Sequence, residues 1–141
     1  DETAWKSAAQ SRLMQGNFGD APDLQTTMQA LSDGKDLYVR IVAAQPAPPP
    51  VKDGLTLRLD APDHPHWTLN ADGSSEGKLA VTVVSNQRTD STWSVVVKVP
   101  ISALAATVRV QFERHIETAW SPQMAPPWPS LMRWGTLKFG N

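Results

Sequence analysis

The chain has 141 residues, no cysteine and a formal net charge of -1. One domain's worth of sequence without cysteine excludes disulfides, thiolate catalysis, zinc–thiolate sites and iron–sulfur clusters. The near-neutral charge leaves no electrostatic footprint for nucleic acid or an anionic membrane surface, and no apolar run approaches the ~20 residues of a membrane span.

In chain order, Trp5–Ala9 predicts a short helical piece, with Trp5 as a core plug beside small residues. Leu24–Ala30 is a weak strand candidate, and Ser32-Asp33-Gly34-Lys35 a hairpin turn. In "DLYVRIVA", Leu37, Val39 and Ile41 share one face and Tyr38, Arg40 and Val42 the other. "PAPPP", Pro46 to Pro50, cannot donate to a ladder and predicts an extended loop. In "GLTLRLD", Leu55, Leu57 and Leu59 alternate with Thr56, Arg58 and Asp60; Trp67–Asn70 is a weaker strand, followed by a turn over Asn70-Ala71-Asp72-Gly73-Ser74.

"KLAVTVV" places Leu79, Val81 and Val83 on one face, and Arg88-Thr89-Asp90-Ser91 is a third turn. "WSVVVKV" puts Trp93, Val95, Val97 and Val99 in phase, which makes Trp93 a core residue. A single helical turn follows at Pro100–Leu104. "VRVQFER" then alternates Val108, Val110 and Phe112 with Arg109, Gln111 and Glu113, and Thr136–Phe139 is a last, weak strand. Seven or eight short strands with regular turns predict an all-β, antiparallel β-sandwich over residues 1–141 as a single domain, jelly-roll-like, with at most one or two short helical turns. An immunoglobulin-like sandwich fits the same pattern.

The end of the chain, "WSPQMAPPWPSLMRWGTLKFGN", carries Trp120, Trp128 and Trp134 among four prolines. Trp120 and Trp134 adjoin strand-like segments and read as core or loop anchors. Trp128, flanked by Pro127 and Pro129, shares no alternation with an apolar strand. Prolines stiffen a loop and reduce the entropy lost when it holds a ligand. An indole face suits the C–H patch of a pyranose ring, so Trp128 is a candidate stacking platform, with loop packing and a protein interface as its alternatives. Arg40, Arg58, Thr56, Arg109, Gln111 and Glu113 are candidates to line one polar sheet face, where guanidinium and amide groups suit sugar hydroxyls.

No G-x-S-x-G, P-loop, G-x-G-x-x-G or H-E-x-x-H motif occurs, which predicts a non-enzyme. His64 and His66, next to Asp63, lack a clear third metal ligand. Asp20, Asp23, Asp33, Asp36, Asp60, Asp63 and Asp72 could supply oxygens to calcium but form no D-x-D-x-D-G loop. No cofactor is therefore assigned, and calcium stays an open alternative. Met14, Met28, Met124, Met132 and three histidines are available as axial ligands to a haem, a lower-ranked reading because no pair is marked by spacing.

Several segments recur together in a recognisable order: Asp1-Glu2-Thr3-Ala4-Trp5, "DGKDLYVRIVA", Asp53 in "VKDGLTLRLD", "WTLNADGS", "WSVVVKVPISAL" and "AWSP…W…RWGTLKFG". In this order the chain resembles the family 9 carbohydrate-binding modules. The resemblance implies a jelly-roll β-sandwich that binds sugar without catalysis, holding polysaccharide ends between two aromatic side chains. Carried over residue by residue, it puts Trp128 at one clamp aromatic and keeps the strand Asn70. The second clamp aromatic falls at Pro50, the acidic strand position at Thr56, the basic position at Thr68, and a polar loop position at Ala125. Trp128, Asn70 and Arg58 are thus the expected sugar contacts. The domain is expected to be an accessory part of a secreted, periplasmic or cell-surface glycan-handling protein. The alternative is a structural or interaction module that has lost the sugar site and contacts another domain or subunit through its proline-rich loops.

Overall fold

The computed structural model describes residues 2–12, 26–45, 52–59, 63, 65–104, 107–117 and 135–138. It contains one short helix, α1 (Glu2–Ser7), and ten strands: β1 (Gln10–Arg12), β2 (Thr26–Ser32), β3 (Asp36–Ala44), β4 (Lys52–Leu59), β5 (His66–Asn70), β6 (Ser75–Gly77), β7 (Thr82–Arg88), β8 (Thr92–Pro100), β9 (Thr107–Glu117) and β10 (Gly135–Lys138). A 3-10 turn, Ile101–Ala103, follows β8. All pairings are antiparallel, in two five-stranded sheets ordered β1-β2-β3-β8-β7 and β10-β9-β4-β5-β6. The all-β antiparallel class expected from alternation is the class observed. The chain changes sheet three times, after β3, after β6 and after β8. Contacts gather into two compact units, Asp1–Pro46 with Val81–Ala103, and Ala47–Ala80 with Leu104–Asn141.

In the first unit, the apolar phase of β3 and β8 is one continuous buried face. Leu37 lies opposite Val99, Val39 opposite Val97, Ile41 opposite Val95 and Ala43 opposite Trp93, and all eight are buried. The largest side chain therefore faces one of the smallest, and Thr26, opposite Ala43 on β2, is also fully buried. The Trp93 indole N–H donates to Asn86 Oδ1 at 2.8 Å, and the Arg88 guanidinium stands 5.1 Å from the ring centroid. Six residues of helix are too few to persist in isolation. Here α1 is held by its buried Trp5 and by Gln29, whose Nε2 donates to the carbonyls of Trp5 (2.8 Å) and Ala8 (3.2 Å) at the end where helical carbonyls lack partners.

The structure departs from the alternation reading around β7. The strand starts at Thr82 rather than Lys78 and runs on to Arg88. Val83 keeps the expected phase, opposite the buried Val97, but is exposed on this edge strand; the register then slips between Val83 and Ser85, a bulge that leaves Val84 exposed. Leu79 is buried without being in a strand, its N–H donating to the His66 carbonyl. The short polar strands β1 and β6 carry no periodic signal and were not expected. The three predicted turns all close hairpins: Asp33 Oδ1 accepts from the Lys35 and Asp36 amides (2.9 and 2.7 Å) in the first, which hold its carboxyl below the usual carboxylate range. The expectations for "PAPPP", and for Trp120, Trp128 and Trp134, fall outside the described residues.

Gly77 ends β6 with φ of +129°, and a Cβ there would run into the backbone of His66 and Trp67. Gly77→Ala is expected to lower stability by about 2–3 kcal/mol through backbone strain. Urea unfolding should show an earlier midpoint at unchanged slope, and an unchanged midpoint would contradict the close approach.

Candidate functional site

The second sheet has two faces of opposite character, set by the strict alternation of β4. Asp53, Leu55, Leu57 and Leu59 share its buried face, where Leu55 pairs with Leu69 and Leu57 with Trp67 on β5. On β9, Val110 and Phe112 lie opposite Leu59 and Leu57, and Arg114 lies opposite Leu55. A charged pair therefore sits on the apolar face. Arg114 Nε donates to Asp53 Oδ1 at 3.0 Å and Nη2 to Oδ2 at 2.7 Å, with side chains 1% and 0% exposed. This two-pronged geometry is what makes a charge pair tolerable without water. The Asp53 carbonyl also accepts from the Ala71 amide at 2.8 Å, which ties the pair to the turn after Asn70.

The opposite face carries the sugar-contact candidates. Register puts Arg58 beside His66, Thr56 beside Thr68, and Gly54 beside Asn70. Arg58 and Asn70 thus share a face but stand four residues apart along β4, about 13 Å. Between them Thr56 and Thr68 join hydroxyls at 2.8 Å, and Thr56 is 2% exposed. Arg58 Nε donates to Glu113 Oε1 on β9 at 3.1 Å, and the two side chains are 26% and 17% exposed.

Asn70 is set by its turn. Its Nδ2 donates to Ser74 Oγ at 3.1 Å, while the Ser74 amide and hydroxyl both donate to Asp72 Oδ1 (2.8 and 2.6 Å). Those bonds, the hydroxyl's first, hold the Asp72 carboxyl below its usual range. The Asn70 Oδ1 lies over Gly54, where a Cβ would stand 3.3 Å from it. Glycine at 54 thus gives the amide room to lie flat on the sheet.

The structure therefore brings Arg58, Thr56, Asn70 and Glu113 to one face of one sheet. Arg40, expected to line that same face, does not. It lies on β3 of the first sheet, where its Nη1 donates to Glu2 at 3.0 Å and its guanidinium stands 6.0 Å from the Trp5 ring. Alternation identifies which residues share a face within a strand but not which strands share a sheet, and β3 and β4 are on different sheets. The side chains of Arg109 and Gln111, like Trp128, lie outside the description.

Two contacts escaped the sequence reading: the pairing of Glu113, itself a candidate for this face, with Arg58, and the Asp53–Arg114 pair. The latter has a legible signal, since both charges fall in phase with apolar stripes, Leu55-Leu57-Leu59 and Val110-Phe112. Among the described residues no group of three His, Asp or Glu side chains could hold a metal ion. His66 is half-buried on β5, and His64 lies outside the description. Met28 is a buried residue of β2. Among the described residues no helix is long and apolar enough to cross a membrane.

No protein-family model and no curated protein matches the sequence. Solved structures do resemble it. A family 9 carbohydrate-binding module from Caldicellulosiruptor kristjanssonii in complex with glucose superposes with a TM-score of 0.65 at 12% identity, over 96% of this chain and 85% of that one. A module of the same family and organism in complex with cellotriose gives 0.61 at 12% identity, over 86% and 72%. The fold of this chain is that of a family 9 carbohydrate-binding module, the all-β sandwich class its alternation predicts.

Proposed function

We propose that this chain is a noncatalytic carbohydrate-binding domain of an extracytoplasmic glycan-handling protein. The observation that carries the reading is its fold likeness to modules solved with glucose and with cellotriose. A sheet face bearing Arg58, Thr56, Thr68 and Asn70 supports it, because those side chains supply both donors and acceptors for hydroxyls. Trp128, with Pro127 and Pro129 as its sequence neighbours, supplies the apolar platform. Asn70 supplies a polar contact next to Gly54.

Calorimetric titration with cellotriose tests this. The wild-type protein should bind, and Trp128→Ala should weaken binding by at least about tenfold, through loss of aromatic stacking and of the area it covers. Equal affinity of the two proteins would remove Trp128 from the site. Binding by neither, across a panel of neutral oligosaccharides, would remove the function.

Pro50 at the second clamp position favours a second reading: a module that has kept the fold and contacts a partner domain through the segments at 46–50 and 125–130. A cross-linking map of the parent protein that places both segments in water would oppose it.

A further inference from the structure

Where the β2–β3 turn meets the 3-10 turn after β8, the first unit holds a pocket of about 530 Å³, lined by residues 34–36, Thr82, Lys98 and residues 100–102. That volume is within the range of small-molecule sites, on the order of 300–1,000 Å³. The Ile101 amide donates to the Lys35 carbonyl at 2.9 Å, which ties the two turns together. Asp36 opens β3 in phase with Tyr38 and Arg40 rather than with the core residues Leu37 and Val39, yet its side chain is only 10% exposed. Among the described residues its carboxylate accepts no hydrogen bond. Its ion partner, Lys98 Nζ, stands 3.7 Å from Oδ2, beyond hydrogen-bond length. A carboxylate has about four acceptor positions, and leaving them unused at this burial is costly, so water or a ligand must supply the donors.

We infer that this pocket is a second site for a neutral sugar, on the other sheet from the polar face that carries Asn70; the inference rests on the carbohydrate-binding reading above. A hydroxyl both donates and accepts. With its oxygen about 2.8 Å from each group, it donates to Asp36 and accepts from Lys98, and so closes a gap too wide for a direct bond. The Thr82 and Ser102 hydroxyls, exposed at the edge of the pocket, have no side-chain hydrogen bond among the described residues and can meet a second sugar hydroxyl. Pro100 and Ile101 add apolar groups for the C–H patch of the ring. Charge decides against other small ligands. Asp36 and Lys98 largely cancel each other at 3.7 Å. Lys35 is exposed, so its pull on an anion is weak and screened by salt, and that anion would also face the Asp36 carboxylate. A metal cation at Asp36 would meet the Lys98 ammonium.

The test is an amide-resolved NMR titration of the whole chain with cellotriose. Wild type should show saturable shifts at the amides of Gly34, Lys35, Asp36, Ile101 and Ser102, besides those expected around Asn70. Asp36→Asn should weaken binding at the pocket by about tenfold, the scale of a hydrogen bond to a charged group, and leave the Asn70 shifts as they are. Trp128→Ala should leave the pocket shifts in place. Shifts around Asn70 with none at the pocket overturn the second site and leave the carbohydrate reading standing; no shifts anywhere overturn both. Pocket shifts that Asp36→Asn leaves unchanged, or that Trp128→Ala abolishes, also overturn the second site. Should Asp36→Asn unfold, wild type titrated with glucose and with glucuronate decides the matter. Glucose binding at the pocket at least as tightly as glucuronate supports the inference. Tighter binding of glucuronate overturns it, because the lysines would then be reading an anion.

Discussion

Arg114→Leu is expected to destabilise the protein by about 3–5 kcal/mol, because it takes a two-pronged guanidinium away from the buried Asp53 carboxylate. The pair is sealed at 1% and 0% exposure and bonded through two nitrogens and two oxygens, so water cannot take the arginine's place. Asp53→Leu should cost a similar amount by taking the carboxylate away from the buried guanidinium. The double substitution Asp53→Leu/Arg114→Leu should cost less than either single change, since it removes both charges together and puts apolar groups beside Leu55 and Phe112. Urea unfolding of the three variants, read as a double-mutant cycle, checks this. Strictly additive losses would show that the two side chains act independently and would contradict the geometry.

The second large effect is expected at Trp93. Trp93→Ala removes a side chain that is 0% exposed, and the chain opposite cannot fill the space, because the residue there is Ala43. A loss of about 3–5 kcal/mol follows from transfer and cavity together. Trp93→Phe keeps a ring and loses the indole bond to Asn86, so it should cost much less. A complementary change makes the volume argument sharper: Ala43→Leu overfills the same site and should cost about 1–3 kcal/mol. If Ala43→Leu restored stability to Trp93→Ala, the two positions would share one space, as the register places them. If Trp93→Ala shifted the unfolding midpoint no more than Trp93→Phe, the packing described for the first sheet would be wrong.

Much of the fold was legible because one side of each central strand is apolar. Leu37-Val39-Ile41, Leu55-Leu57-Leu59 and Trp93-Val95-Val97-Val99 each announce a strand and its buried side. The turns were legible from Asp-Gly, Asn and Ser chemistry. Where those signals fade, the reading fails. β7 is an edge strand with a bulge, so Val83 stays exposed although its phase matches the buried Val97 opposite it, and the phase is lost beyond it. β1 and β6 are three residues each without an apolar side chain, held by a neighbour's ladder rather than by any pattern of their own.

The site was legible to the extent that phase carries it. Arg58 and Asn70 share a face because each lies out of phase with its strand's leucines. Their partners were less accessible, because the contact of Arg58 with Glu113 spans 55 residues and depends on strand order, which alternation does not encode. Arg40 shows the same limit in reverse: its phase fits, but its sheet is the other one.

The bulge in β7 has a consequence for how the protein behaves in crowded solution. A strand at the margin of a sheet offers its free amides and carbonyls to any second chain that arrives extended, and two neighbouring valines would make that margin adhesive. With a net charge of only -1, long-range repulsion does little to keep molecules apart. The slipped register at Val83–Ser85 breaks the even spacing that a templated partner strand would need. An edge strand interrupted in this way is a poorer template for a fibril than an even one.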